Sequence, residues 1–254
     1  MEPGSASVTA QRVAAYRVTF DRVATTYGDA GADLRLGRDV AGSTKVDLTT
    51  DMSQYLAART MFFDRVVVGA LDRGIRQATI VGAGYDGRAL RYAKPAVDWF
   101  EVDHPDTQRD KRARLERLGV DTRHVHFVAA DFSTDDVAAA LRQVRFDSTL
   151  ATVFICEGVA VYLDRPVLRT LLGSLRSLAT PTSRLAISLS MTPDNDEAAA
   201  RQASFRARVA AVGEPERDRL TPEERSALLA STGWADETTS PRAKRVGLVV
   251  LRPV

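Results

Sequence analysis

The stretch ATIVGAGYDGRALRY, residues 78–92, decides the fold of this chain. Its first part is a short apolar run with β-branched residues, typical of a buried strand, and its last part is helix-like. Between them Gly82, Gly84 and Gly87 satisfy the pattern G-x-G-x-x-G. Glycines there let the backbone turn tightly and approach a ligand where a helix begins. The stretch therefore predicts a strand, a ligand-binding turn and a helix. A glycine-rich turn without a ligand is the alternative.

The same alternation of strand and helix repeats downstream. Further short apolar runs are VDWFEVD (97–103), HVHFVAAD (124–131), LATVFICEG (150–158) and SRLAISLS (183–190). Helix-like segments lie at about 86–94, 105–118, 133–144 and 164–179. Repeated βαβ units predict an α/β fold with a doubly wound, Rossmann-like sheet, mostly parallel, with helices on both faces. After a helix opened by Thr221, the segments 233–240 and 245–254 are expected to pair antiparallel at the sheet edge.

Upstream of the first strand the sequence favours helices. One is expected from about Thr9 to Tyr27, because Val13, Tyr16, Phe20 and Val23 recur at helical spacing. Residues 28–47, rich in Gly, Asp and Arg, look like a surface connection.

A second helix is expected from a cap at Asp51 to about Asp72, with Gly74 stopping it. Its buried face is expected to consist of Tyr55, Met61, Phe62, Val66 and Leu71.

We expect one domain over residues 1–254. Its parts would be N-terminal helices acting as a lid (1–74), a cofactor-binding core (75–190), a lid insertion (191–220), and a C-terminal helix with edge strands (221–254). Within the insertion, Phe205, Val209 and Val212 share one helical face of Asp196–Gly213. A lid there would exclude water and set specificity. A plain packing helix explains the pattern nearly as well.

Composition excludes several function classes. The formal charge of +2 gives no electrostatic case for nucleic acid or an anionic membrane. Cys156 is the only cysteine, and the three histidines lack metalloprotease spacing, so neither a disulfide framework nor a metal site is expected. The N-terminus lacks signal-peptide features and no apolar run approaches the ~20 residues of a membrane span. We expect a cytoplasmic protein.

Acidic residues follow the predicted strands. Glu101 and Asp103 end the second strand on the same side of it, Asp131 ends the third and Glu157 ends the fourth. Ligands of open α/β sheets bind outside the carboxyl ends of the strands, so these acids and the glycine turn are expected to form one rim. Glu101 or Asp103 could instead pair with a surface cation, Arg109 or Lys111, and Glu157 could compensate the charge of a helix N-terminus.

Charge favours S-adenosylmethionine over a dinucleotide at this rim. Asp86 in the glycine turn would oppose a pyrophosphate at the helix N-terminus, and Arg88 offsets it only in part. S-adenosylmethionine carries a sulfonium and an ammonium and no phosphate. Asp103 does not discriminate, because both cofactor classes use an acid there for ribose hydroxyls. An NAD-dependent oxidoreductase remains the alternative on the glycine signature.

These residues resemble the leucine carboxyl methyltransferase family of S-adenosylmethionine enzymes. The matching stretches are Ala58-Arg59-Thr60 followed by FFD, VGAGYDGRALRY, FEVDHPDTQRDKRARL, AADF and CEGVAVYL, in the family's order over about residues 50–190. The resemblance implies a class I methyltransferase fold and methyl transfer to a carboxylate oxygen. It also implies cofactor contacts, with Arg59 meeting the methionine carboxylate. With their neighbours, the expected cofactor-binding residues are Arg59, Gly82, Ala83, Gly84, Asp86, Arg88, Glu101, Asp103, Asp131, Phe132, Glu157 and Gly158.

The chain departs from the family in places. Gly87 stands where many relatives have Thr, and Phe132 where Leu is usual. The insertion at 191–220 is modest beside that of members which modify a protein phosphatase. A small carboxylic acid, of the bacterial natural-product kind, is therefore the expected substrate.

A carboxylate, with a pKa near 4, is already ionised at neutral pH, so the expected reaction needs no general base. It would depend on placing the oxygen in line with the sulfur–methyl bond. No catalytic residue is assigned. Tyr162 and Tyr85 are candidate substrate contacts, and either could equally be a core aromatic. A regulatory protein that binds the cofactor without catalysis is the third interpretation.

Overall fold

A computed structural model describes residues 7–193 and 219–254 of the chain. The chain divides into two compact units, Met1–Ala129 and Ala130–Val254. The proposed lid segment Asp196–Gly213 lies outside the described residues, so that expectation stays a prediction. The described ends of the insertion meet, because the Thr192 N–H donates to the Leu220 carbonyl at 3.0 Å.

The first unit contains three parallel strands in the order β3-β2-β1. The strands are β1 (Gln77–Val81), β2 (Asp98–Asp103) and β3 (Val125–Ala129). Its helices are α1 (Val8–Arg17), α2 (Ala30–Ala41), α3 (Asp51–Asp72), α4 (Arg88–Arg91) and α5 (Pro105–Arg117). The register pairs Val81 with Val102, so the carboxyl ends of β1 and β2 lie side by side. This pairing brings the glycine turn next to Asp103.

The first helix is shorter than its pattern predicts. α1 ends at Arg17, ten residues before Tyr27. The Tyr16 carbonyl accepts the N–H and the hydroxyl of Thr19, at 3.0 and 2.7 Å, and the N–H of Phe20 turns to Arg17 instead. A side chain that bonds the backbone locally competes with helix propagation. The apolar spacing beyond Arg17 therefore does not continue the helix.

The expectation of a surface connection over residues 28–47 is wrong for its first half. Asp29 caps α2, its carboxylate accepting the Ala32 N–H at 2.8 Å. Ala32, Leu36 and Val40 follow at four-residue spacing and are buried. They pack in one cluster with Ala14, Tyr85, Leu90 and Leu115. The buried stripe makes this segment a helix in spite of its Gly, Asp and Arg content.

α3 has the predicted bounds, but its cap and its buried face differ. The Thr50 hydroxyl accepts the Ser53 N–H, so Thr50 and not Asp51 is the cap. Of the apolar residues expected inside, only Leu71 is fully buried, and Tyr55, Met61, Phe62 and Val66 are half-buried. The buried face instead contains Leu56, Arg59, Phe63, Asp64 and Val67. It includes two ionisable residues that a hydropathy pattern places outside.

The second unit contains β4 (Thr152–Cys156) parallel to β5 (Arg184–Ser188), then β7 (Leu248–Pro253) antiparallel to both β5 and β6 (Trp234–Asp236). Its helices are α6 (Val137–Arg142), α7 (Arg165–Ser177), α8 (Pro222–Ser231) and α9 (Pro241–Arg245), with a 3-10 turn at Ala160–Tyr162. Thr221 and Glu224 form a capping box at the start of α8. The predicted antiparallel pairing of the last two strands is confirmed.

All five predicted strands of the core occur, and a helix follows each of them where one was expected. These helices are shorter than the segments predicted to be helical. Mixed α/β architecture with mainly parallel pairing is therefore confirmed. None of the helices in the described part of the chain combines the length and apolarity needed to cross a membrane. The division into a lid, a core and an edge stays a prediction.

Leu36→Ala tests whether α2 is a packed helix. Leu36 is fully buried, so we expect the free energy of unfolding to fall by about 2–5 kcal/mol in urea titrations. Leu48→Ala is the matched control, because Leu48 is 50% exposed and should change stability little. Equal stability of the two variants would contradict the packing of α2.

Candidate cofactor site

The glycine turn after β1 has a conformation that side chains disfavour. Gly82 and Gly84 have φ of +66° and +48°, in the left-handed region that glycine adopts at little cost. The N–H groups of Gly82 and Ala83 both donate to the Val102 carbonyl, at 2.8 and 3.1 Å. The turn is thus bonded to the neighbouring strand β2. Its backbone is fixed in place and free of side chains at the two glycines.

Asp103 is the carboxylate that bonds this turn. It accepts the backbone N–H of Gly84, and its other oxygen accepts the N–H of His104 at 2.6 Å. Burial raises the pKa of Asp103 above its usual value, while the two N–H groups oppose that rise. In the described residues, the hydrogen bonds of this carboxylate come from backbone amides and not from a cationic side chain. Each oxygen keeps acceptor capacity for a ligand hydroxyl.

Glu101 was expected to contact the ligand beside Asp103, but its carboxylate forms an ion pair within the protein. Its carboxylate accepts the Lys111 ammonium at 2.6 Å, and both residues are buried. The same ammonium donates to the Asp86 carbonyl at 2.7 Å. Burial raises the pKa of Glu101 even with Lys111 next to it. The alternative of pairing with Lys111 therefore holds, but inside the protein and not at its surface.

Asp86 is also engaged by the protein itself. It accepts the Arg88 guanidinium at 2.5 Å and lies 3.4 Å from that of Arg17. Its side chain is 3% exposed and that of Arg88 is fully buried. Two arginines offset the charge of Asp86, so the argument that this carboxylate selects a cationic ligand loses its basis. Asp86 and Arg88 hold the turn in the structure.

Arg88 is one member of a wider buried network. Its guanidinium donates to Asp64 at 2.7 Å and to the Thr60 carbonyl at 3.1 Å, both on α3. Asp64 also accepts two bonds from Arg22, at 2.6 and 2.9 Å. Burial alone would raise the pKa of Asp64, but Arg88 and Arg22 outweigh it and bring that pKa well below its usual range. The network anchors the glycine turn to the long helix α3.

The network extends through Asp33, a second acidic partner of Arg22, to one more arginine, Arg91. Asp33 accepts Arg22 at 3.1 Å and Arg91 at 2.5 Å, and it lies against the turn, because a Cβ on Gly87 would meet its carboxylate. Sequence reasoning missed these partners. They are far apart in the chain, and only the mixture of acids and arginines in the N-terminal segment hints at them.

Arg59 is buried on α3, one residue before the carbonyl that Arg88 binds. Its guanidinium lies over the Tyr55 ring, 5.6 Å from the ring centroid. A buried arginine at this place suits recognition of a carboxylate, because its fork of donors matches that group. The family-based expectation for Arg59 is compatible with this position and stays a prediction.

Tyr85 is a core residue in this structure. It is 4% exposed, belongs to the cluster around Leu36, and its hydroxyl donates to the Asp110 carboxylate. Burial, with Asp110 beside it, raises the pKa of Tyr85. The interpretation as a core aromatic is therefore favoured over a substrate contact.

The remaining predicted residues belong to the second unit. Asp131 opens a turn in which its carboxylate accepts the Ser133 N–H at 2.8 Å, and Phe132 is half-buried beside it. Glu157 is buried directly after β4, and the Gly158 N–H donates to the Ser188 hydroxyl at 2.7 Å. Tyr162 is half-buried in the 3-10 turn.

A comparison with known protein families shows which family this chain belongs to. The model of the leucine carboxyl methyltransferase family matches residues 11–175, which include the glycine turn, Asp103, Asp131 and Glu157. The chain belongs to this family. The match begins in α1, so the N-terminal helices are part of the family's pattern and not an appendage to it.

Among curated members, the chain is 39% identical over 149 residues to a “Putative S-adenosyl-L-methionine-dependent methyltransferase” of Mycolicibacterium smegmatis, covering 58% of this chain and 49% of that one. It is 34% identical over 174 residues to a protein of the same name from Mycobacteroides abscessus, covering 68% and 57%. The chain matches about half the length of these relatives.

Solved structures confirm the fold class. A DUF574 family protein from Streptomyces avermitilis superposes with a TM-score of 0.62 at 16% identity, covering 98% of both chains. A “putative methyltransferase” from Thermobifida fusca gives 0.61 at 18% identity, covering 99% of this chain and 96% of the other. At such low identity the likeness concerns the fold alone. The Rossmann-like methyltransferase fold expected for the family is thereby confirmed.

Asp64→Asn tests the ion network through the dependence of protein stability on acid pH. Because the folded pKa of Asp64 lies below the unfolded value, its stabilisation is complete above about pH 4 and disappears as the pH falls. We expect urea unfolding of the variant to show a shallower loss of stability toward acid pH, and a loss of about 3–5 kcal/mol at pH 7 from two arginines left without this partner. The exposed Asp72→Asn on the same helix should keep the full acid dependence. If Asp64→Asn lost stability toward acid pH as steeply as wild type, Asp64 would not be the ionised partner of Arg88 and Arg22.

Proposed function

We propose that this protein is an S-adenosylmethionine-dependent methyltransferase. The observation that carries the proposal is the pair formed by Asp103 and the glycine turn at the adjoining ends of β1 and β2. Asp103 differs from Asp86 and Glu101 in that backbone N–H groups, and not cationic side chains, are its hydrogen-bond partners. Its negative charge is therefore directed to a ligand more than that of either neighbour. The names of the curated relatives support the same cofactor.

The residues present fit this cofactor. Ribose hydroxyls are donors that the Asp103 oxygens can accept, and the glycines allow the amino acid portion to approach the backbone. Arg59 would bind the methionine carboxylate. By the family pattern, Asp131, Phe132 and Glu157 of the second unit would contact the adenine and the ammonium. When bound, the cofactor supplies an electrophilic methyl group on a sulfonium.

The proposed acceptor is the carboxylate of a small molecule of the secondary-metabolite kind, and the product is a methyl ester. One carboxylate oxygen forms a bond to the methyl carbon as the carbon–sulfur bond breaks, and no proton moves. Since the acceptor is ionised near neutral pH, the protein needs to orient the oxygen and exclude water. This requirement agrees with the absence of an acid–base pair among the proposed contacts. Family membership does not favour the oxidoreductase or a purely regulatory role.

Asp103→Ala tests the cofactor assignment. Hydrogen bonds to a charged group contribute about 1.5–3 kcal/mol, so we expect the dissociation constant for S-adenosylmethionine in calorimetry to rise by about tenfold or more. Asp98→Ala, which alters an exposed acid at the start of the same strand, should leave binding unchanged. A folded Asp103→Ala protein with wild-type affinity would exclude the assignment. Titration with NADH, followed by nicotinamide fluorescence, should show no binding.

The acceptor class is tested with methyl-labelled cofactor. A panel of aromatic and aliphatic carboxylic acids is paired with the corresponding primary amides and alcohols. We expect label only in the acids, in a product that mild base hydrolyses to methanol. The rate of methyl transfer should not rise between about pH 6 and 8, because the acceptor is already ionised. Base-stable product would reject the carboxylate acceptor and leave methyl transfer intact. Tight cofactor binding without transfer to any acceptor would favour the regulatory interpretation.

A further inference from the structure

The N-terminal half of α1 lies directly on the glycine turn. A Cβ built on Gly84 would be 3.0 Å from the Cβ of Ala10, so helix and turn approach as closely as two backbones with small side chains allow. One turn earlier, the Ser7 N–H donates to the Thr107 hydroxyl at 3.2 Å, near the start of α5 and four residues after Asp103. α1 therefore covers the part of the first unit where the cofactor is proposed to bind.

The C-terminal half of α1 is packed on α2. Ala14 and Ala15 are buried, and a Cβ on Gly37 would lie 2.7 Å from a methyl group of Val18. These contacts are apolar and close, and Ala14 also packs in the cluster that contains Tyr85 of the glycine turn. The C-terminal half of α1 is thus held by apolar packing on α2 and on the Tyr85 side chain.

One ion pair joins α1 to the glycine turn. Arg17, the last residue of α1, places a guanidinium nitrogen 3.4 Å from the Asp86 carboxylate. The Arg17 side chain is 12% exposed, whereas Arg88, the other partner of Asp86, is fully buried. The two arginines therefore differ: Arg88 is enclosed by the protein, and Arg17 reaches Asp86 from the edge.

This arrangement allows the pair to open at low cost. If Arg17 leaves, Asp86 keeps the closer bond from Arg88, so opening does not leave a buried carboxylate without a cation. The Arg17 side chain is 12% exposed, so its guanidinium becomes hydrated as the pair opens. Breaking the Arg88 pair would strand buried charges and is far less accessible.

We propose that Arg17 is a positioning residue that clamps α1 over the glycine turn, so that α1 is a cover which must lift before the cofactor leaves. The proposal rests on the cofactor assignment above. A cover of this kind excludes water from the turn and couples the order of α1 to the bound ligand, and by linkage the ligand stabilises the closed helix.

The test compares Arg17→Met, which keeps much of the aliphatic stem, with Arg17→Lys, which keeps the charge. Arg12→Met is the matched control, because Arg12 is an exposed arginine on the same helix. Two quantities are measured: the dissociation rate of S-adenosylmethionine by stopped-flow displacement, and amide hydrogen exchange of α1 with and without the cofactor.

For Arg17→Met we expect dissociation about five- to tenfold faster, in the range of ordinary coupling between sites, with thermal stability near that of wild type. Exchange in α1 should accelerate while exchange in β1 and β2 does not. Arg17→Lys should recover most of both effects, and Arg12→Met should behave as wild type. In wild type, the cofactor should slow exchange in α1.

Wild-type behaviour of Arg17→Met in both measurements would overturn the proposal. So would equal acceleration of exchange in α1 and in the strands, which would mean general destabilisation. If wild-type protein fails to bind S-adenosylmethionine, the proposed function falls. If it binds but the cofactor leaves exchange in α1 unchanged, only the cover is rejected.

Discussion

The buried guanidinium of Arg88 is the interaction on which the first unit depends. It joins the turn at Asp86 to the side chain of Asp64 and the carbonyl of Thr60 on α3. Removing a charge from water costs several kcal/mol per ion, so a buried arginine is stable only where its donors are matched. Its planar fork offers five donors in fixed directions, which a lysine cannot replace. The position of the glycine turn against α3 follows from this geometry.

Because Asp64 also binds Arg22, and Asp33 binds both Arg22 and Arg91, the support of the turn includes the segment between α1 and α2. The N-terminal region is therefore a structural support of the glycine turn, where the cofactor is proposed to bind. We expect a substitution in this region to alter the position or the stability of the glycine turn.

The sheet could be predicted from the sequence because its strands are short, apolar and separated by clear turn residues. Segment α2 could not, since the Gly, Asp and Arg content of residues 28–47 hid a buried stripe at four-residue spacing. The face of α3 was misplaced because Arg59 and Asp64 are buried by pairing and cation–ring contact, which hydropathy does not register. The strand-end acids were found, and Lys111 was named as an alternative partner of Glu101 or Asp103, but the partners of Asp86 were not. Arg17 lies far from Asp86 in the sequence, and only the fold brings the two together, whereas Lys111 pairs with Glu101 inside the protein and not at its surface.

The partners of these acids change how the charge of the site is understood. A row of carboxylates suggests a uniformly negative rim. In the structure, however, Asp86 forms ion pairs with Arg88 and Arg17, and Glu101 forms one with Lys111, and these pairs fix the turn. Asp103, bonded to backbone amides, remains as the acid suited to a ligand in the first unit. A reaction without proton transfer depends on the distances among its reactants. A turn held by buried ion pairs on one side and by a helix on the other would supply fixed distances for the proposed methyl transfer, with the charges of Asp86, Arg88 and Lys111 holding the turn in position.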